Sequence, residues 1–277
     1  MVRALTYLCL AASLAGAQGK KSVFVITDAE GVAGVCRQDQ TDPKDPEMRR
    51  LLTAEINAAV DGFFAGGAEE VVVWDGHDGS QTLSVETIHP RAKLIIGGLG
   101  ATMLMERGFA AIAFIGQHAR ASRRGGIMAH SYSSLGIQNM LMNGKPVGEI
   151  ETRAALAGWF HVPVIFLSGD QAAADDLRAI VPDAEVAVVK EGLSNYTCVS
   201  LSAPSARALI AEKARASMAG LERIKPYRIQ GPVTFEIEYT TRNAIGVDVP
   251  AGAEMKDPRT VIYRGKDFLE AWKRTRH

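Results

Sequence analysis

Two hydrophobic rhythms alternate along the chain. Short, unbroken apolar runs read as strands buried on both faces, and longer stretches with an apolar residue every three or four positions read as helices lying against them. Ser22 to Thr27 is the first run, rich in β-branched residues and closed by Asp28-Ala29-Glu30-Gly31. From Glu47 to Phe64 the positions Met48, Leu51, Leu52, Ile56, Ala59, Val60 and Phe63 follow helical spacing, and Gly66-Gly67 stops the pattern. Glu70 to Asp75 predicts a second buried strand, ending at Gly76-His77. Lys93 to Ile96 and Ala110 to Ile115 predict two more, with a short helix over Thr102 to Arg107 between them and Gly116-Gln117-His118 after the last.

Beyond His130 the rhythm changes. Ile137 to Met142, Asn143-Gly144 and Lys145 to Val147 predict a β-hairpin, because Asn-Gly supplies the positive φ of a type I′ turn. A helix over Glu149 to Phe160 and a strand over Val162 to Leu167 follow, the latter leading into Ser168-Gly169-Asp170. Next come a helix (Gln171 to Ile180), a strand (Ala184 to Val189) and a helix (Pro204 to Leu221), then an isolated strand (Val233 to Tyr239) and a last helix (Asp267 to Thr275). Alternation of this kind predicts an α/β fold: a mainly parallel sheet flanked by helices, with right-handed crossovers. The hairpin and the late strand predict an added antiparallel piece, or a smaller C-terminal α/β lobe whose boundary the sequence does not mark.

Composition narrows the classes. With 277 residues, 47% of them hydrophobic, the chain has material for one large domain with a substantial core. Lys plus Arg and Asp plus Glu each number 31 and no long basic run occurs, which excludes a nucleic-acid platform. Arg3, the apolar stretch Leu5 to Leu14 and Ala15-Gly16-Ala17 predict a cleaved secretory signal over residues 1–17, leaving residues 18–277 as the folded domain. The competing reading is an N-terminal element packed on the domain. The apolar stretch is too short to span a bilayer and no later segment reaches about twenty apolar residues. A secreted or periplasmic protein, free of the membrane, is the expectation. Cys36 and Cys198 remain after the signal; export permits a disulfide, but two cysteines form no framework, and they read as unpaired thiols.

Ligands of open α/β sheets bind beyond the carboxyl ends of the strands. Asp28, Glu30, His77 and His118 all fall at such ends. Taken singly each has an ordinary explanation, as a turn or cap residue or a satisfied polar side chain. Glu149 would open a helix, where the dipole favours a carboxylate, and would pair with Arg153 one turn on. His130 lies twelve residues past His118 in a Gly-rich loop, while His89 and His161 sit in turns and His277 ends the chain. Taken together, hard carboxylates and imidazoles suit a divalent first-row metal, zinc above all. Five candidates exceed what one catalytic zinc takes, which points to a two-metal hydrolytic site.

The chain resembles the dinuclear-zinc D-aminopeptidases of the dipeptide-transport operon type. The matching segments are Thr27-Asp28-Ala29-Glu30-Gly31-Val32-Ala33-Gly34, Asp75-Gly76-His77, Gly116-Gln117-His118-Ala119-Arg120-Ala121-Ser122, Gly126-Ile127-Met128-Ala129-His130-Ser131 and Asn143-Gly144-Lys145-Pro146-Val147-Gly148-Glu149. Each is short, but five in register from about Val23 to the last helix are specific together. The resemblance implies Asp28, Glu30, His77, His118 and Glu149 as ligands of two zinc ions per subunit. It implies His130 as the catalytic histidine, which we read as positioning or deprotonating the attacking water or stabilising the oxyanion. It also implies release of an N-terminal D-residue such as D-Ala from short peptides, and a ring-stacked homodecamer enclosing its sites. Two positions depart from the family pattern. Ile26 stands where a Ser is usual, and Trp74 where a small polar residue precedes the Asp-x-His pair. The competing functions are a two-metal amidase or phosphoesterase, and a periplasmic solute-binding protein. Phosphate chemistry calls for Arg or Lys converging on the metals, and Arg120 is the obvious candidate; a solute-binding protein has no reason to gather five ligands.

Overall fold

A computed structural model describes residues 20–242, 249 and 252–275, so the predicted signal at residues 1–17 lies outside the described residues. In chain order the strands are β1 (Ser22–Thr27), β2 (Glu70–Trp74), β3 (Lys93–Ile95), β4 (Ala111–Gln117), β5 (Ile137–Met142) and β6 (Lys145–Pro146). They continue as β7 (Val164–Asp170), β8 (Glu185–Ser194), β9 (Thr197–Ser200), β10 (Val233–Tyr239), β11 (Ala253–Asp257) and β12 (Thr260–Gly265). The helices are α1 (Pro46–Ala65), α2 (Glu149–Trp159), α3 (Gln171–Ile180), α4 (Ala203–Ala219) and α5 (Phe268–Thr275).

A seven-stranded sheet in the order β3-β2-β1-β4-β7-β8-β9 forms the body of the molecule. All its pairings are parallel except that of the edge strand β9 with β8. The strands β1, β4 and β7 are buried at every position, as their unbroken apolar character requires. From β1 the order runs to β2 and β3 on one side, and from β4 to β7 and β8 on the other. The crevice at the carboxyl ends of β1 and β4 is therefore the point where strand order reverses, the place such sheets offer a ligand.

A second, five-stranded antiparallel sheet has the order β11-β12-β10-β5-β6. It unites the hairpin with the late strand, which is not isolated but pairs with β5 from Phe235 opposite Met142 onward. Asn143 and Gly144 both adopt positive φ, 51° and 76°, as the Asn-Gly turn demands. Trp272 of α5 packs on Phe235 of this sheet at 5.8 Å and on Tyr132 at 5.8 Å, so the second sheet abuts the crevice of the first.

Three local expectations differ from the structure. The helix expected over Thr102 to Arg107 shrinks to one 3₁₀ turn, Met105–Arg107, because Met103 and Leu104 take φ of 47° and 59°, which no right-handed helix admits. The strand expected to stop at Val189 runs on to Ser194 and returns as β9. Third, Cys36 and Cys198 are not free thiols but a disulfide with Cα atoms 5.9 Å apart, joining the loop after β1 to β9. Among the described residues no helix is long and apolar enough to cross a membrane.

Candidate metal centre

Two glycines allow the ends of β1 and β4 to meet. A Cβ on Gly31 would lie 2.2 Å from the Gln117 carbonyl oxygen, and one on Gly116, at φ +71°, would lie 2.1 Å from that of Asp28. In their absence the backbones close up: Asp28 N–H donates to Ile115 O at 2.8 Å and Gly31 N–H to Gly116 O at 2.7 Å. The end of β2 is tied in by Thr27, whose hydroxyl donates to Trp74 O at 3.0 Å and accepts from Gly76 N–H at 3.2 Å. Asp75 shapes the following loop by accepting from Thr82 N–H and Leu83 N–H at 2.8 and 2.9 Å. Asp28, Glu30, His77 and His118 are thus delivered to one place from three strand ends.

The site forms two groups of ligand-type atoms. Asp28, Glu30 and His77 make one, and His118, His130 and Glu149 the other, the atoms in each lying within 4.8 Å of one another. His77 Nδ1 is 3.0 Å from Asp28 Oδ1 and 3.4 Å from Glu30 Oε2. His118 Nε2 is 3.5 Å from Asp28 Oδ2 and 3.7 Å from Glu149 Oε1. Asp28 therefore turns one oxygen to each group. The second nitrogen of each imidazole is spoken for: His77 Nε2 donates to Thr41 O at 2.7 Å and His118 Nδ1 to Ala119 O at 2.8 Å. These bonds fix which nitrogen of each ring faces the carboxylates, Nδ1 of His77 and Nε2 of His118, and so which would bind a metal in place of its proton.

Glu149 is the first residue of α2, as expected, but its carboxylate does not pair with Arg153; Oε1 accepts from Tyr132 N–H at 2.6 Å. The helix start and the site claim the same side chain. His130 stacks on His118 with ring centroids 3.9 Å apart and donates from Nδ1 to Met128 O at 2.9 Å, which leaves Nε2 open. A cavity of about 550 Å³ is lined by Asp28, Glu30, His77, His130 and Glu149, and also by Tyr132 and Arg153. His118, 1% exposed, lies beneath it.

The electrostatics are those of a cation site. Burial opposes charge on His77, yet the hydrogen bonds and negative charge of Asp28 and Glu30 outweigh it and raise the imidazole to about 11. His118 is likewise disfavoured as a cation by burial but raised to about 9 by Glu149, Asp28 and Glu30. Asp28 feels the same burial, which would raise it, and is nevertheless held well below the usual carboxylate range by His77 and His118. Glu30 Oε2, His118 Nε2 and Glu149 Oε2 are buried without a hydrogen-bond partner. Orphaned acceptors converging from both groups fit divalent metal, since uncompensated buried carboxylates are otherwise expensive. The residues present suit zinc, with mixed O and N donors on each side.

Four contributing residues were not singled out in the sequence. Lys190, 3% exposed, donates from Nζ to the carbonyl oxygens of Glu30, Val32 and Val35, the Val32 contact being 3.1 Å, and so holds the ligand loop in shape. Gln117 Nε2 donates to Asp28 Oδ2 at 3.1 Å. Tyr132 and Arg153 complete the cavity wall. A lone Lys closing the apolar run Val186 to Val189 was a legible signal and Gln117 lay inside the segment matched around His118, whereas Arg153 was read only as a partner of Glu149 and Tyr132 carried no signal. Arg120, by contrast, does not converge on the site but faces Glu151 and Asp176 at 3.8 Å each. The two departures from the family pattern separate in space: Ile26, 1% exposed, is core, whereas Trp74 faces Arg153.

Comparison with known proteins agrees with the geometry. A family model described as D-aminopeptidase matches residues 22–276. A D-aminopeptidase of Bacillus subtilis (strain 168) is 31% identical over 258 residues, covering 90% of this chain and 93% of that protein. A solved structure, described as the Zn-dependent D-aminopeptidase DppA from Bacillus subtilis, a self-compartmentalizing protease, matches with a TM-score of 0.84 at 30% identity, over 92% of this chain and 95% of that one.

Proposed function

The chain belongs to the D-aminopeptidase family, and from that premise we propose that it is a zinc aminopeptidase releasing an N-terminal D-residue such as D-Ala from short peptides or amides. The observation that carries this reading is the pair of three-residue ligand groups with Asp28 between them. Asp28, Glu30 and His77 would hold one zinc, and His118 and Glu149, with the second oxygen of Asp28 turned towards them, would hold the other. When bound, zinc polarises a carbonyl and lowers the pKa of water to about 7, enough for amide hydrolysis at neutral pH.

The protein's own groups do the rest. His130 has Nδ1 committed to Met128 O, so its Nε2, open to the cavity, is placed to take a proton from the attacking water and return it to the leaving amine. The stack on His118 keeps the ring from turning away. The ligand groups also suit a substrate's free amine, which in its neutral form a bound zinc would hold beside the scissile carbonyl. About 550 Å³ accommodates a short peptide rather than a folded chain.

The Cys36–Cys198 bond supports an oxidising compartment. We place the protein outside the cytosol, secreted or periplasmic, where cell-wall peptides carry D-residues. By analogy with the self-compartmentalizing relative, we further propose a closed homo-oligomer, a decamer, with the sites facing its interior. Leu135, on the cavity rim and 86% exposed, is suited to such a contact. Zinc-loaded protein assayed on matched D- and L-alanyl p-nitroanilides should turn over the D form at least tenfold faster, with about two zincs per chain by elemental analysis. Equal rates on the two enantiomers overturn the stereochemical reading, and protein that retains no zinc after repletion overturns the metal centre.

A further inference from the structure

Arg153 is 8% exposed and lies on α2 one turn beyond Glu149, in the wall of the cavity that holds both ligand groups. Its Nη1 is buried without a hydrogen-bond partner, and among the described residues no carboxylate forms an ion pair with the guanidinium. Instead the group sits between two aromatic rings, its Cζ 5.6 Å from the centroid of Trp74 and 5.6 Å from that of Tyr132. Trp74 is itself fixed, donating from Nε1 to Gly97 O at 3.0 Å, and the Tyr132 hydroxyl is 2.6 Å from Thr152 Oγ1. Cation–π contact orients the fork but satisfies none of its N–H groups.

A buried guanidinium without an anion is costly, and removal of one charge of a pair leaves the other uncompensated. The carboxylates that share the cavity, Asp28, Glu30 and Glu149, are those placed to hold metal, so Arg153 is left for the anion of an incoming ligand. Resting on the D-aminopeptidase reading, we propose that Arg153 binds the free C-terminal carboxylate of a dipeptide substrate and so sets a preference for the free acid over its amide. The spacing agrees. Glu149 and Arg153 are four residues apart on α2, about 6 Å along the helix axis. A dipeptide places its carboxylate one residue past the scissile carbonyl, at most about 3.6 Å of chain plus the carboxylate's own reach. The amine then lies at the metal-ligand groups and the carboxylate meets the arginine fork, where planar bidentate recognition is strongest. Longer peptides carry their carboxylate past Arg153, and amides lack it. The bulky residue at position 74, out of pattern for the family, acquires a purpose as the surface on which the guanidinium rests.

The test compares D-alanyl-D-alanine with D-alanyl-D-alaninamide on zinc-loaded wild type, Arg153→Gln and Arg153→Lys. Wild type should favour the free acid by about tenfold to a hundredfold in kcat/KM, mostly through KM, as expected for a charge-assisted bidentate contact. Arg153→Gln should bring the two substrates within about twofold, and Arg153→Lys should fall between. A wild-type ratio near one overturns the proposal, whether or not either variant folds. A ratio that survives in folded Arg153→Gln overturns it too. Absence of turnover on both substrates overturns the D-aminopeptidase reading, and this proposal with it. D-over-L selectivity on the p-nitroanilides, which have no carboxylate, reports on that reading independently of Arg153.

Discussion

The six side chains that matter most sit where elementary rules put them, yet each needs its neighbours to become chemistry. His130 is the sharpest case, because the geometry groups it with His118 and Glu149 as a potential third donor while its open Nε2 suits proton transfer. Replacing His130 by Ala should lower kcat by about a hundredfold or more with zinc content unchanged; a loss of zinc in the same variant makes it a ligand. Lys190 offers a second test. Its ammonium, brought down to about 8 by burial despite nearby Asp170, Glu55 and Glu30, is the donor for three carbonyls of the ligand loop. Lys190→Met keeps the length and apolar stem but not the donor. Zinc affinity, measured by competition with a chelator, should fall about tenfold to a hundredfold, and an unchanged affinity refutes the positioning role. At this scale Asp28, Glu30, His77 and His118 were legible in the sequence, since a strand end is a fixed address. Arg153 was not, because an arginine one turn after a glutamate reads as its partner, and only the packed structure shows Glu149 turned to Tyr132 instead.

At the scale of elements, legibility followed the length of the apolar run more than burial, since β12, buried from Thr260 to Tyr263, was not predicted. The strands β1, β4 and β7, buried at every position, and the helix α1 were read within two or three residues of their observed ends. The strand β11 was missed because its sequence Ala253-Glu-Met-Lys-Asp is short and mostly polar, with its last four positions exposed. The helix α1 also carries a charge the pattern did not flag. Glu55 is 2% exposed; Oε1 accepts from Ala33 N–H at 2.9 Å, and Oε2 is buried without a partner. Burial pushes this carboxyl up to about 7, against the opposing pull of the Ala33 hydrogen bond and Lys190. A raised carboxyl keeps its proton in the folded protein where the unfolded chain, near 4.5, has already lost it. The folded state therefore binds more protons in this window, and stability falls as pH rises from 4.5 towards 7. Glu151, raised to about 7 by burial and by Asp176, acts in the same direction. Glu55→Gln should remove its share: relative to wild type the variant gains on the order of 3 kcal/mol in denaturant stability between pH 4.5 and 7. A difference between the two proteins that stays flat with pH excludes Glu55 as the titrating group.

At the scale of the whole molecule, the loop that presents Asp28 and Glu30 is held from two sides, by Lys190 beneath it and by the Cys36–Cys198 bond at its far end. That bond spans 162 residues of sequence and ties the ligand loop to β9, the antiparallel edge of an otherwise parallel sheet. Gly34 N–H adds a hydrogen bond to Ser200 Oγ of the same strand at 2.9 Å. A cross-link closing so long a loop contributes about 2–4 kcal/mol, which for a protein of this size corresponds to a melting shift of roughly 5–15 °C. Because the tie acts on the loop that carries two of the three residues of one ligand group, Asp28 and Glu30, its loss should reach metal binding as well as the fold. Metal binding in turn stabilises the folded state by mass action, so the two effects must be separated. Melting of the Cys36→Ser/Cys198→Ser protein in the presence of chelator isolates the cross-link: the midpoint should fall by that amount. Zinc titration of the same variant below its melting range isolates the site: affinity should weaken although every ligand is intact. If reduction of the wild type changes neither the chelated midpoint nor the zinc affinity, the bond does not form in solution, and the case for an oxidising compartment loses its structural support.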